Sequence, residues 1–111
     1  MKKIEFFRHN IDSQDKARVV KTLNSIFLTT GDMVDEFEYS FARYLDMRAA
    51  IGVTSCTAGL HLSLLAWGIN PGDEVITTPL SFCATANAIL HAGARPLFVD
   101  VEKTTGNIDA E

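Results

Sequence analysis

The chain has 111 residues, 47% of them hydrophobic, and Lys+Arg 10 against Asp+Glu 14 gives a formal net charge of −4, a globular composition with one domain's worth of core. Its positive charges are scattered singly except for Lys2-Lys3, which does not make the basic face that nucleic-acid phosphates require. No apolar run approaches the roughly 18 residues of a membrane span, and charge at Arg8 ends the apolar stretch behind Met1-Lys2-Lys3 before a signal-peptide core can form. Nucleic acid and membrane are therefore excluded as expected partners, and a cytoplasmic location is expected. Cys56 and Cys83 show no CxxC or Cys/His ligand spacing, and His9, His61 and His91 stand isolated. No metal set is expected, and the cysteines read as buried free thiols.

In chain order, Val19, Val20, Leu23, Ile26 and Phe27 fall on one helical face between Asp12 and Phe27, with Asp12 and Ser13 as candidate N-caps. Leu28-Thr29-Thr30-Gly31-Asp32 breaks the pattern. A second stripe at Val34, Phe37, Phe41, Tyr44 and Leu45 predicts another amphipathic helix, with acids toward its N-terminal half as the macrodipole favours. The short apolar run Ala49-Ala50-Ile51-Gly52-Val53 then suits a strand buried on both faces. Residues 58–67 are apolar almost all round and end at Gly68, which predicts a buried helix with glycine at the C′ position. Asn70-Pro71-Gly72-Asp73 has Pro and Gly where a type II turn wants them, ahead of a strand at Glu74-Val75-Ile76-Thr77. A third buried helix over 82–92, ended by Gly93, leads to a strand at Pro96-Leu97-Phe98-Val99. Helix-helix-strand-helix-strand-helix-strand implies a mainly parallel α/β sheet. The tail Thr104 to Glu111 reads as a loop leading to a helix cap at Asp109, so the chain is expected to be the N-terminal piece of something longer.

Chemistry concentrates at two turns. Thr54-Ser55-Cys56-Thr57-Ala58-Gly59 packs hydroxyls and small side chains at a helix N-terminus, where free backbone N–H groups and the dipole favour phosphate. The plain alternative is that Ser55 or Thr57 only caps the helix. Neither GxGxxG nor GxxxxGK[ST] is present. Thr77-Thr78-Pro79-Leu80-Ser81-Phe82 lies at the carboxyl end of a strand, the edge where open α/β sheets place ligands. Phe82 there could stack on a planar ring or be the first core residue of the next helix. Asp100 has the same two readings, functional group or turn cap.

The succession Leu28-Thr29-Thr30-Gly31, Phe37-Glu38, Ser55-Cys56-Thr57-Ala58-Gly59-Leu60-His61-Leu62, the run from Gly72 to Thr85, and Gly93-Ala94-Arg95-Pro96-Leu97-Phe98-Val99-Asp100-Val101 closely resembles the DegT/DnrJ/EryC1/StrS aminotransferases, from about Phe6 to Asp109. These are pyridoxal-phosphate enzymes that aminate keto-sugars, usually nucleotide-linked. The resemblance implies that residues 1–111 are the N-terminal portion of one large domain of a fold-type I transferase. It implies that Ser55, Cys56, Thr57 and Ala58 bind the cofactor phosphate, through the Thr57 hydroxyl and the amides of Thr57 and Ala58. Phe82 would stack on the pyridine ring, and Thr30 and Gly31 would lie near the substrate. Cys56 stands where many members have Gly, a difference that matters if that backbone needs positive φ.

The resemblance further implies a ping-pong transfer, typically from glutamate, in a homodimer with shared active sites. It places the Schiff-base lysine beyond residue 111, since Lys2, Lys3, Lys16, Lys21 and Lys103 match no such motif, so the chain by itself is expected to be inactive. In this fold the first strand lies far from the next two, so a parallel ladder is expected between 74–77 and 96–99 and none from 49–53 to either. With intervening strands missing, exposed apolar faces are expected. A non-catalytic regulatory or sensory relative and a small nucleotide-binding α/β module are the alternative readings.

Overall fold

The computed structural model describes residues 4–5 and 7–110. The opening Met1-Lys2-Lys3, the resemblance's first residue Phe6, and Glu111 lie outside the described residues. The chain divides into two compact units, 1–52 and 53–111.

In the first unit, α1 runs Ser13–Leu23. Asp12 caps it with a reciprocal box: its carboxylate accepts from the Gln14 and Asp15 amides at 2.7 and 3.0 Å, and the Asp15 carboxylate accepts from the Asp12 amide at 3.0 Å. The helix ends sooner than its apolar stripe suggests, leaving Ile26 and Phe27 in the loop beyond it. α2 runs Asp32–Tyr44, with Gly31 at its N-cap and Asp32 and Asp35 in its first turn. Phe37 and Phe41 pack ring against ring at 5.6 Å, one turn apart. Arg18 of α1 reaches Glu36 of α2 at 3.9 Å, both well exposed, a pair worth little in water. Ala42 is the one buried residue of α2, and α1 buries none.

Residues 49–53 form no strand, which corrects the expectation from their apolar run. A strand needs a ladder partner, and no described residue pairs with them. Instead the Gly52 amide donates to Glu38 Oε1 at 2.6 Å. A Cβ at Gly52 would stand 3.2 Å from that oxygen, so glycine lets α2 and this backbone approach.

The second unit contains α3 (Cys56–Ala66), β1 (Glu74–Thr77), α4 (Ala84–His91) and β2 (Arg95–Phe98). β1 and β2 pair in parallel, with Glu74 opposite Arg95 and Thr77 opposite Phe98. The Arg95 amide donating to Asp73 O and the Val99 amide donating to Thr77 O, both at 2.9 Å, extend the ladder at each end. Arg95 and Glu74 also form an ion pair across it. β2 thus begins one residue earlier than the Pro-led run suggests. Proline lacks only the donor, and the neighbouring amides carry the ladder past it.

α4 covers this sheet through Ala88 and Ile89, and Leu64 of α3, Ala92 and Ala94 complete the core, with Ile69 and Val75 against it. Small residues dominate, so helix and sheet approach closely. The expectation of buried helices holds only on these faces: Leu62, Leu65 and Trp67 of the α3 segment are exposed. The expected exposure of apolar faces is what the structure shows.

The Pro71-Gly72 turn closes with the Asp73 amide on Asn70 O at 3.1 Å, as its sequence predicts. Gly68 and Gly93 follow α3 and α4 with φ of +79° and +82°. Beyond β2 the chain makes a hairpin-like excursion absent from the sequence reading. Val101 bridges Ile108 in antiparallel fashion, and the Glu102 and Asp109 amides donate to Asn107 O and Asp100 O at 2.9 and 3.0 Å.

Two outcomes are expected. Glu38→Ala removes the charged acceptor of the Gly52 amide and lowers unfolding stability in urea by about 1–2 kcal/mol, with Glu38→Gln recovering part of it. Gly93→Ala forces a left-handed backbone on a residue with a Cβ, and that Cβ would meet Pro71 Cγ at 3.0 Å. It costs about 1–2 kcal/mol by the same measurement.

Candidate functional site

The turn ahead of α3 is built by Ser55. In extended backbone at the N-cap, its hydroxyl accepts from the Ala58 amide at 3.1 Å, while its carbonyl accepts from the Gly59 amide at 3.1 Å. α3 consequently starts at Cys56, two residues ahead of the predicted start. This corrects the expectation that the amides of Thr57 and Ala58 are both available to a phosphate. Thr57 lies inside the helix at its second position, and the Ala58 amide is taken by the cap.

The donors without an acceptor among the described residues are the amides of Cys56 and Thr57, both in the first turn, where the helix dipole is positive. The first turn of α3 carries no acid, so nothing there repels an anion. Thr57 and Ala58 are half-buried, and Ser55 and Cys56 are exposed. Cys56 has no positive φ, so cysteine sits in this turn without the backbone strain its replacement of glycine raised.

At the carboxyl end of β1, Phe82 lies outside α4, which begins at Ala84, and is 78% exposed. It is therefore not the first core residue of that helix. The loop is held by the Thr78 hydroxyl accepting from the Leu80 amide at 3.1 Å and by a Ser81–Thr85 hydroxyl pair at 2.9 Å. Phe82 and Phe98 share the lining of a groove of about 300 Å³ with Thr78, Ser81 and Asn87. An aromatic face on an ordered loop at the strand's carboxyl edge is free to stack on a planar ring.

Cys56 and Cys83 are free and exposed, which corrects the reading of both as buried. Each sits at a helix start, at the first position of α3 and the N-cap of α4, away from the apolar faces that form the core. Asp100 caps its own turn, with Oδ1 accepting from the Val101 amide at 2.8 Å.

Thr30 and Gly31 belong to the first unit. Thr30 is exposed in the loop before α2, and Gly31 lines a cavity of about 440 Å³ with Lys21, Phe27, Asp32, Met33 and Glu36. The sequence shows Lys21 only as a lysine that matches no Schiff-base motif, and its place at this cavity depends on the fold of the 24–31 loop. Among the described residues no group of three or more His, Cys, Asp or Glu side chains could hold a metal ion, and no helix is long and apolar enough to cross a membrane.

The DegT/DnrJ/EryC1/StrS aminotransferase family matches residues 9–111. The spore coat polysaccharide biosynthesis protein SpsC of Bacillus subtilis is 48% identical over 99 residues, covering 89% of this chain and 25% of that protein. The UDP-4-amino-4-deoxy-L-arabinose–oxoglutarate aminotransferase of Shewanella sediminis is 45% identical over 95 residues, covering 86% and 24%. Among solved structures, Spr1654 of Streptococcus pneumoniae in its PLP form superposes with a TM-score of 0.87 at 34% identity, over 96% of this chain and 27% of that one. NtdA of Bacillus subtilis with bound cofactor PMP superposes with a TM-score of 0.79 at 37% identity, over 89% and 24%.

The chain spans about a quarter of the length of the curated relatives it matches. Its fold is a partial domain of the fold-type I pyridoxal-phosphate transferases, α/β with parallel strands. The order of its motifs, its parallel ladder and the family match over residues 9–111 together make this chain a member of the DegT/DnrJ/EryC1/StrS aminotransferase family.

Proposed function

We propose that this chain supplies the cofactor-phosphate end and one ring-stacking face of a pyridoxal-phosphate-dependent sugar aminotransferase. On this reading residues 1–111 belong to one large domain. The observation that carries it is the first turn of α3, where two amides without an acceptor lie beside the Thr57 hydroxyl with no acid in the turn. This donor set suits a phosphate dianion: the Cys56 and Thr57 amides and the Thr57 hydroxyl bind it, while Ser55 holds the turn from within by capping the Ala58 amide. Ala58 contributes through its small side chain and not through its amide.

Phe82 offers its face to the pyridine ring, and Thr30 and Gly31 border the substrate. When bound, pyridoxal phosphate supplies an electrophilic carbonyl and an electron-withdrawing ring through which an amino group passes between substrates. The acceptor is a nucleotide-linked keto-sugar, and the donor is glutamate. Supporting the sugar are the names of relatives that act in polysaccharide biosynthesis and on an aminoarabinose nucleotide. The working form is a cytoplasmic homodimer, and the Schiff-base lysine is not among the five lysines present.

The test is titration of the purified chain with pyridoxal phosphate, followed by amide chemical shifts and equilibrium dialysis. The Cys56 and Thr57 amide resonances are expected to move. Thr57→Val, which removes one hydroxyl donor to a charged oxygen, weakens binding by about tenfold. Incubation with glutamate and borohydride gives no keto-acid turnover and no stoichiometric adduct on a single lysine. Unmoved amides at α3 overturn the phosphate assignment, and turnover with a single trapped lysine overturns the inactivity of the chain.

A further inference from the structure

The sequence shows three separate histidines, and the fold brings two of them together. His61 lies three residues before Leu64 on α3, and His91 lies three residues after Ala88 on α4. Residues three apart share a helix face. Because Leu64 and Ala88 meet in the core of the second unit, the same packing delivers both imidazoles to one seam. Their ring centroids are 5.9 Å apart, with planes inclined at 51°. His61 is half-buried and His91 exposed, so the pair opens to solvent on one side.

We propose that His61 and His91 form a two-imidazole site for a borderline first-row cation, zinc(II) foremost, on the seam between α3 and α4. With a metal–nitrogen bond of about 2.05 Å and a ring nitrogen about 1.15 Å from its centroid, two imidazoles on one ion stand about 5.2 Å apart at a tetrahedral angle and about 6.4 Å apart when opposed. The separation of 5.9 Å falls inside that window. Closing from 5.9 Å to the tetrahedral spacing asks for about 0.7 Å of approach, within reach of rotating the two rings. Imidazole selects zinc, copper and nickel over the hard cations magnesium and calcium. Since no group of three or more ligating side chains exists among the described residues, water completes the coordination. The ion would clip α3 to α4 across the small core, stabilising the unit by an amount that grows with the logarithm of free ion concentration above Kd. The site is independent of the proposed cofactor turn.

The experiment uses the full chain with Cys56→Ser and Cys83→Ser, so that exposed thiols take no metal. Zinc chloride is added in a non-chelating buffer and followed by calorimetry and by the imidazole C–H resonances. The expected result is one equivalent bound, with the His61 and His91 signals moving together, His9 unmoved and magnesium without effect. His91→Gln, at an exposed position, weakens binding by more than tenfold, since loss of even an outer-shell partner costs about 10–100-fold. His61→Gln does the same, with circular dichroism checking that it folds. Movement of the His9 signal alongside the others, uptake without saturation, or affinity within twofold in His91→Gln shows an adventitious ion only and overturns the proposal.

Discussion

Two parallel strands cannot be joined by a tight turn, so the pairing of β1 with β2 obliges the chain to leave the sheet and return over a helix. The packing over this sheet follows from that obligation. The helix that returns is α4, and it closes the unit because Ala88, Ala92 and Ala94 are small enough to let Ile89 and Leu64 meet over the strands. The loop between β1 and α4 must then run along the carboxyl edge of the sheet, and this puts Phe82 in solvent with an exposed face. The close fit of Gly93 against Pro71 locks the turn before β1 to the turn before β2. The two strands therefore start level, with Glu74 opposite Arg95.

The candidate phosphate turn has a different physical origin. It depends on competition among the orphan amides of one helix end. Ser55 satisfies the Ala58 amide and by doing so fixes which donors remain, namely those of Cys56 and Thr57. On the proposed reading, a cap and an anion site are successive uses of the same turn rather than rival readings of it. The sequence posed them as alternatives because it shows hydroxyls at a helix start without showing which amide each one faces.

The first unit shows how a regular apolar pattern can give correct helices without giving a core. The stripes of α1 and α2 have helical period, and Asp12 caps α1, yet Val19, Val20, Leu23, Phe37 and Tyr44 are exposed. Periodicity records which face is to be covered, and covering it requires other surfaces. The run 49–53 makes the same point for the sheet. Its composition is that of a strand, and its backbone is left to a single anchoring bond donated by the Gly52 amide to Glu38 because no described strand lies beside it.

What the sequence alone determined is local: the Asp12 cap, the Pro71-Gly72 turn, glycines closing α3 and α4, the span of β1, and the family to which the motifs belong. Each depends on residues a few positions apart, whose steric and hydrogen-bonding preferences act within one turn of chain. The parallel ladder was legible too, from the strand-helix-strand order, while the lack of a ladder from 49–53 was legible only through the family resemblance, since the rule that successive strands lie side by side favours 49–53 as a neighbour of β1. Tertiary structure alone decided the exposure of Cys56 and Cys83, the failure of 49–53 to become a strand, the hairpin-like excursion after β2, and the meeting of His61 with His91. These depend on which surfaces face one another across residues distant in sequence, and side-chain pairing between packed elements leaves no periodic trace in the chain.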